Sequence, residues 1–246
     1  MIDLDLAGWI VVSLAAVMVG IAKTGIPGVG ILAVPLMAIV LPEKRSTGVL
    51  LGILILADVF AVIYHRHNAR WRHVLRLLPA TFAGIVTGYL IMGRISNAQL
   101  KPIIGAIVLV MLGLSYWRSR RPAAELQVPT HWGFAAVLGF AAGVTTMMAN
   151  AAGPVMIIYL VAMRLPKVAF VGTSAWFFFI VNWTKVPFSG SLGLMNAESI
   201  KLNLMMVPCI AVGAFLGVVA LKRIPERAFA VVVQLLAAAA AIKLLF

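Results

Sequence analysis

Two apolar runs in this chain are too long for a single membrane-spanning helix, and each is broken near its middle. Residues 8–40 and 131–163 hold 33 residues each. As one continuous helix that is about 49 Å, against a hydrocarbon core of roughly 30 Å. The first run carries Lys23-Thr24-Gly25-Ile26-Pro27-Gly28-Val29-Gly30, and the second carries Thr145-Thr146-Met147-Met148-Ala149-Asn150-Ala151-Ala152-Gly153-Pro154. Proline removes a backbone donor and glycine weakens a helix. Each long run is therefore expected to form two half-length helices meeting at an irregular tip. Six further runs, at 46–64, 74–92, 99–117, 168–184, 202–221 and 228–245, have single-span length.

Composition removes the soluble alternatives. The chain is 63% hydrophobic and 11% charged, where a soluble domain carries about 25% charged residues. A small soluble domain, a disordered chain and a disulfide scaffold are excluded. The lone cysteine, Cys209, cannot form an intramolecular disulfide or a multi-Cys metal site. The net charge of +13 would suggest nucleic acid in a soluble protein. Here the bases sit between apolar runs, where they set membrane orientation, and no nucleic-acid partner is expected. Asp3 and Asp5 precede the first run, where a signal peptide needs positive charge, so that run is expected to stay in the mature protein. The polar stretch Arg118–Thr130 is too short for a soluble domain.

The two halves repeat. At an offset of 124, Gly30 matches Pro154, Pro42 matches Pro166, Gly48 matches Gly172 and Asp58 matches Asn182. At 129, Pro79, Gly84, Gly88, Arg94 and Ile95 match Pro208, Gly213, Gly217, Arg223 and Ile224. The boundaries are 1–124 for the first membrane repeat and 125–246 for the second. If both long runs crossed the membrane, the loop bases would divide nine against nine. If each run enters and leaves on the same side, twelve fall on one face, including Arg66, Arg70, Arg72 and Arg76, against six on the other. The positive-inside bias favours the second arrangement and puts the twelve in the cytoplasm. Each half is then a hairpin plus three spans. Three is odd, so the second half enters inverted, an architecture common in secondary transporters. The expected fold is thus an all-α polytopic membrane protein of two inverted repeats, each a Gly/Pro-broken long helix or re-entrant hairpin plus three transmembrane helices, with both termini outside.

Irregular backbone at membrane depth is tolerated where it is buried in protein or lines a wet cavity. The tips are the best candidates for a site, because helix N-termini meeting near the midplane favour an anion. Pro27 and Pro154 fit the first turns of the helices that follow the tips. Thr24 and Asn150 have side chains able to cap those helices or to bind substrate. Lys23, beside Thr24 and Gly25, either attracts the anion or snorkels to water. Asp58 is an acid well inside a span, and is a candidate proton, gating or ion-pairing group. Asn182 and Lys185 share a helix face, and Pro187 is expected to stop that helix. They form either an anion contact or an interfacial anchor. His65, His67 and His73, among Arg66, Arg70 and Arg72, read as a solvated basic loop near anionic lipid heads rather than a metal site. Trp71 and Trp117 fit an aromatic belt, and the Met147-Met148 and Met205-Met206 pairs fit packing. No hydrolase, P-loop or metalloprotease signature is present, so an enzyme, a cofactor and a metal are not expected.

Two four-run halves, each opened by a broken long run, resemble the TauE/SafE sulfite exporter family, the TSUP permeases. The resemblance rests on Gly25-Ile26-Pro27-Gly28-Val29-Gly30 followed by Pro35, on Asp58, and on Asn182-x-x-Lys185-x-Pro187. The first tip has fewer glycines than that family pattern, and the second has Met147-Met148 in place of small residues. The resemblance implies transport of sulfite, sulfonates or related sulfur oxyanions across a bacterial inner membrane. The residues themselves point to a secondary carrier of small anions by alternating access around a midplane site, with proton coupling open. An anion channel on the same scaffold and a non-transporting membrane scaffold are the alternatives.

Overall fold

The computed structural model describes residues 4–26, 28–119 and 131–223. Pro27, the polar stretch 120–130 and the last apolar run at 228–245 lie outside the described residues. All the described elements are helical. They are α1 (Leu6–Thr24), a 3₁₀ turn (Val29–Leu32), α2 (Ala33–Val40), α3 (Glu43–His65), α4 (Trp71–Arg94), α5 (Asn97–Ser119), α6 (Trp132–Ala149), α7 (Gly153–Ala162), α8 (Lys167–Ser191), α9 (Ala197–Met205) and α10 (Val207–Arg223). Four helices, within α1, α3, α4 and α6, are long and apolar enough to cross a membrane, and the α9–α10 pair, bent by 48°, makes a fifth candidate. The chain is a multi-pass membrane protein.

Both long runs break where the glycines and prolines fall, but not into equal halves. α1 has 19 residues, about 28 Å, and α2 only eight. The Asp5 carboxylate caps α1, accepting from Gly8 N at 2.8 Å. The run then doubles back. A Cβ placed on Gly30 would stand 3.2 Å from Ala22 Cβ, and one on Gly8 would stand 3.1 Å from Val40 Cγ1, so the two ends of the run are neighbours. Gly28 turns the chain at φ 102°, a conformation glycine adopts freely. In the second run α6 ends on Asn150, itself left-handed at φ 53°. Its N–H donates to Thr146 O at 3.0 Å, and that of Ala151 donates to Thr145 O at 3.3 Å. Phe134 near the start of α6 stacks on Tyr159 near the end of α7, with centroids 6.3 Å apart, so this run doubles back as well.

Glycines set the packing of the hairpins. α1 lies against α10 and α6 against α4. At Gly20 and Gly25 the backbone of α1 meets that of α10 around Gly213 and Gly217. Gly139 and Gly143 of α6 meet α4 around Leu77, Thr81 and Gly84 in the same way. Small residues let backbones touch where lipid supplies no hydrophobic drive between helices. The third run of each half, α4 in the first and α9–α10 in the second, is thus the partner of the hairpin in the other half.

Between these pairs run α3 and α8, packed on each other. Pro42 and Pro166 begin them with nearly the same backbone angles. Gly48 of α3 abuts the Leu194 carbonyl beyond the end of α8, and Gly172 of α8 abuts Asn68 beyond the end of α3. The two helices are therefore antiparallel. The same contacts sort the loops onto two faces. The 66–70 loop, the start of α8 and the end of α7 share one, since Arg70 N donates to Thr173 Oγ1 at 2.9 Å and the His73 ring meets the Tyr159 hydroxyl at 3.1 Å. The start of α3, the end of α4 and the end of α8 share the other, where Ser191 Oγ donates to Tyr89 Oη at 3.3 Å.

Three sequence expectations change here. Pro187 lies inside α8, which continues to Ser191. A proline forfeits one backbone bond, and neighbouring groups in a membrane bundle make up the loss. The run at 202–221 is two helices meeting at a bend, with Pro208 just beyond it. His65 is not solvated. It is 2% exposed, and its Nε2 lies 3.2 Å from the Thr24 carbonyl.

Candidate functional site

The two breaks and the α3–α8 pair line a partly open cavity of about 70 Å³. One water needs roughly 10–15 Å³, so the space suits several waters or one small oxyanion. Its polar wall includes Lys23, Thr146, Asn150, Ser174 and Asn182, and its apolar wall includes Leu54, Ile157 and Phe178. The breaks contribute backbone, at Gly28 and Gly30 from the first and at Ala151, Gly153 and Pro154 from the second. Pro154 is the second residue of α7, as its place after the break suggests.

Lys23 stands in the last turn of α1, the helix end that favours a cation. Its Nζ lies 2.7 Å from Asp58 Oδ1 and 4.1 Å from the centre of the Phe178 ring. Asp58 is fully buried in α3. Its other oxygen accepts from Asn182 Nδ2 at 2.7 Å. The repeat mates Asp58 and Asn182 are therefore hydrogen-bonded to each other. Two carboxylates at that distance could not both stay charged; an acid and an amide form a bond instead. Asn182 Oδ1 is buried and accepts no hydrogen bond among the described residues.

Lys185 is 1% exposed, so its head group is not the interfacial anchor that was the rival reading. Its Nζ donates to Thr146 O at 3.0 Å, Thr146 Oγ1 at 3.0 Å and Asn150 Oδ1 at 2.6 Å. All three acceptors are neutral, and no carboxylate among the described residues forms an ion pair with it. Asn150 Nδ2 donates in turn to Thr47 O at 3.0 Å. One side chain thus ties the second break to both α8 and α3. Asn150 does not cap the following helix. It ends α6, and its amide is spent on Lys185 and Thr47.

Thr24 and Gly25 stand elsewhere. Thr24 Oγ1 donates to Gly20 O at 3.0 Å and Ala214 O at 2.8 Å, and Gly25 faces the Gly217 backbone. Both belong to the α1–α10 contact, not to the cavity wall. Thr146 and Ser174 are wall residues that the sequence did not single out. Thr146 sits one turn before Asn150, and a polar residue at that spacing from a break is the signal that marks it.

Among the described residues no cluster of three His, Cys, Asp or Glu could hold a metal. No curated protein and no solved structure matches the chain. The family model for the sulfite exporter TauE/SafE matches residues 12–244, nearly the whole length. With that match over a bundle of apolar helices around two broken hairpins, the chain belongs to the TauE/SafE sulfite exporter family.

Proposed function

We propose that this protein is a secondary transporter that moves small sulfur oxyanions across a bacterial inner membrane by alternating access. Its family is one of membrane transporters for sulfur-related anions, and its own residues supply the reading of the site. The observation that carries it is Lys185: a buried ammonium beside the cavity, held by three neutral oxygens and by no carboxylate among the described residues. A buried charge without a counter-ion is costly, and an anion in the cavity relieves that cost. Lys23, Asn182 and Asn150 line the space the anion enters. Asp58 holds Lys23 and Asn182 in place.

The antiparallel α3 and α8, and the exchange of partners between the hairpins, support an inverted repeat with its axis between Asp58 and Asn182. Lys185 ties the second break to α8, and Lys23 ties the first break to α3. Substrate that competes for either ammonium loosens one tie, which couples binding to opening on one face. The twelve-base face is cytoplasmic and the termini are periplasmic in this reading.

The test is uptake of labelled sulfite into proteoliposomes, with counterflow as a second arm. Saturable uptake that is accelerated by unlabelled sulfite inside the vesicles supports a carrier. Conductance without counterflow would make it a channel, and no flux of any sulfur anion would reject transport.

A further inference from the structure

The site holds three charged side chains, and they do not balance. Lys23 and Asp58 are an ion pair at 2.7 Å, and Lys185, protonated in the proposed anion-bound state, adds one positive charge whose neighbours are neutral. The imbalance follows the repeat. At the shared offset of 124, Asp58 stands against Asn182, Lys185 stands against Ala61, and Lys23 stands against Met147. One half thus supplies a neutral pair and the other a lone cation. We infer that Asp58 sets the charge class of the substrate: it cancels Lys23, leaves the cavity one net positive charge, and so selects monoanions over dianions of the same shape. The inference rests on the proposed function, in which the cavity between the breaks takes the anion.

Asp58 does this without touching the substrate. It is fully buried and lies behind two wall residues, Lys23 and Asn182, each of which it contacts. A second negative charge on the ligand would bring no new attraction from a site already neutralised by the first. It would still have to leave water for a small, largely apolar cavity walled by Leu54, Ile157 and Phe178. Sulfite, which interconverts with bisulfite near neutral pH, would enter in its singly charged form. Sulfonates fit without a proton.

Methanesulfonate and thiosulfate make a matched pair. Each is a tetrahedral XSO₃ anion, with a methyl group or a sulfur at X, and they differ by one charge. Binding of both is measured by calorimetry on the full chain in nanodiscs, for the wild type, Asp58→Asn, and the double variant Lys23→Met with Asp58→Asn. Wild type should prefer methanesulfonate by about tenfold or more, the scale of one unit charge desolvated at a partly compensated site. Asp58→Asn frees the Lys23 charge and keeps the side-chain shape, so the preference should fall at least tenfold or invert. The double variant returns the count to one net positive charge, and the monoanion preference should return with it. The double variant also decides the matter if Asp58→Asn does not fold, because preference without any Lys23–Asp58 pair shows that the count matters and not the residue. Wild type that takes thiosulfate as tightly as methanesulfonate overturns the inference while leaving anion binding intact. So does a double variant that folds, binds, and has lost the preference. Absence of binding for both anions in the wild type rejects the proposed function as well.

Discussion

Replacing Lys185 by Met separates the charge of the side chain from its bulk. Met fills a similar volume and adapts to irregular cores, so the packing around α8 is largely kept. The substitution takes the ammonium from three oxygens that accept from it at 2.6–3.0 Å. Thr146 O keeps the Asn150 N–H, so Thr146 Oγ1 and Asn150 Oδ1 are the two left stranded. Thr146 and Asn150 face a cavity that admits water, so the loss is smaller than about 1–3 kcal/mol per stranded group. Removing a buried charge without a counter-ion works in the opposite direction. The two effects oppose each other, and the melting temperature should move by only a few degrees. Affinity has no such compensation. Lys185 does not line the cavity and spends its three N–H donors on Thr146 and Asn150, so it acts on the anion through its charge. A unit charge over a few ångströms is worth about 1–4 kcal/mol, and anion affinity should fall roughly tenfold or more. Lys185→Arg should restore little of it, because a planar fork does not fit three acceptors gathered around a compact ammonium. Titration calorimetry with methanesulfonate, beside thermal melts of the same preparations, measures both quantities. A folded Lys185→Met protein that binds within threefold of wild type would refute the role assigned to this lysine.

Other perturbations test the same frame. Asn150→Ala places a Cβ residue without a compensating side chain at φ 53°, a strain of about 1–2 kcal/mol, and removes the link from Lys185 to Thr47. Asn150→Gly relieves the backbone alone, so melts should order wild type above Gly above Ala, with anion affinity reduced in both variants. Gly217→Val would drive a Cβ to 2.8 Å from Ile21 O, and overpacking of this kind costs about 1–3 kcal/mol or more; the monodisperse fraction on size exclusion in detergent should drop. A cysteine introduced at position 68 should react with a membrane-impermeant maleimide only after the inner membrane is opened, and one at position 3 should react in intact spheroplasts. The reverse pattern would overturn the proposed orientation.

The breaks were legible because glycine and proline act locally. Gly28 can take a positive φ at no steric cost, and a proline cannot donate to the helix before it, so α6 does not run on through Gly153-Pro154. The doubling back of the first long run was legible in the same way, and Gly8 beside Val40 shows it; the charge division built on it remains part of the proposed orientation. Pro187 misled because its cost is also local, one missing donor, while its context is not: α8 is packed along α3 and α4, and the helix continues. Thr24 misled for a related reason. Beside a break it looks like a cap or a ligand, but its hydroxyl is committed to Ala214, 190 residues away. The glycines of α10 were the available hint. Gly213 and Gly217 at four-residue spacing announce a close helix contact, and a hydroxyl on the facing helix belongs to that contact.

The site itself lay between these extremes. Asp58 and Asn182 were visible as repeat mates, and a residue that meets its own mate lies on the axis relating the halves. Their 2.7 Å hydrogen bond therefore carries more than a helix contact. In the proposed inverted repeat it puts the cavity where two related helices cross, the position from which alternating access would expose an anion to either face. A strict repeat would put two acids or two amides there. Two acids would share a proton, and two amides would leave Lys23 without a counter-ion. The chain has one of each, and that departure from symmetry gives Lys23 its carboxylate partner and, in the proposed function, leaves Lys185 to attract the substrate.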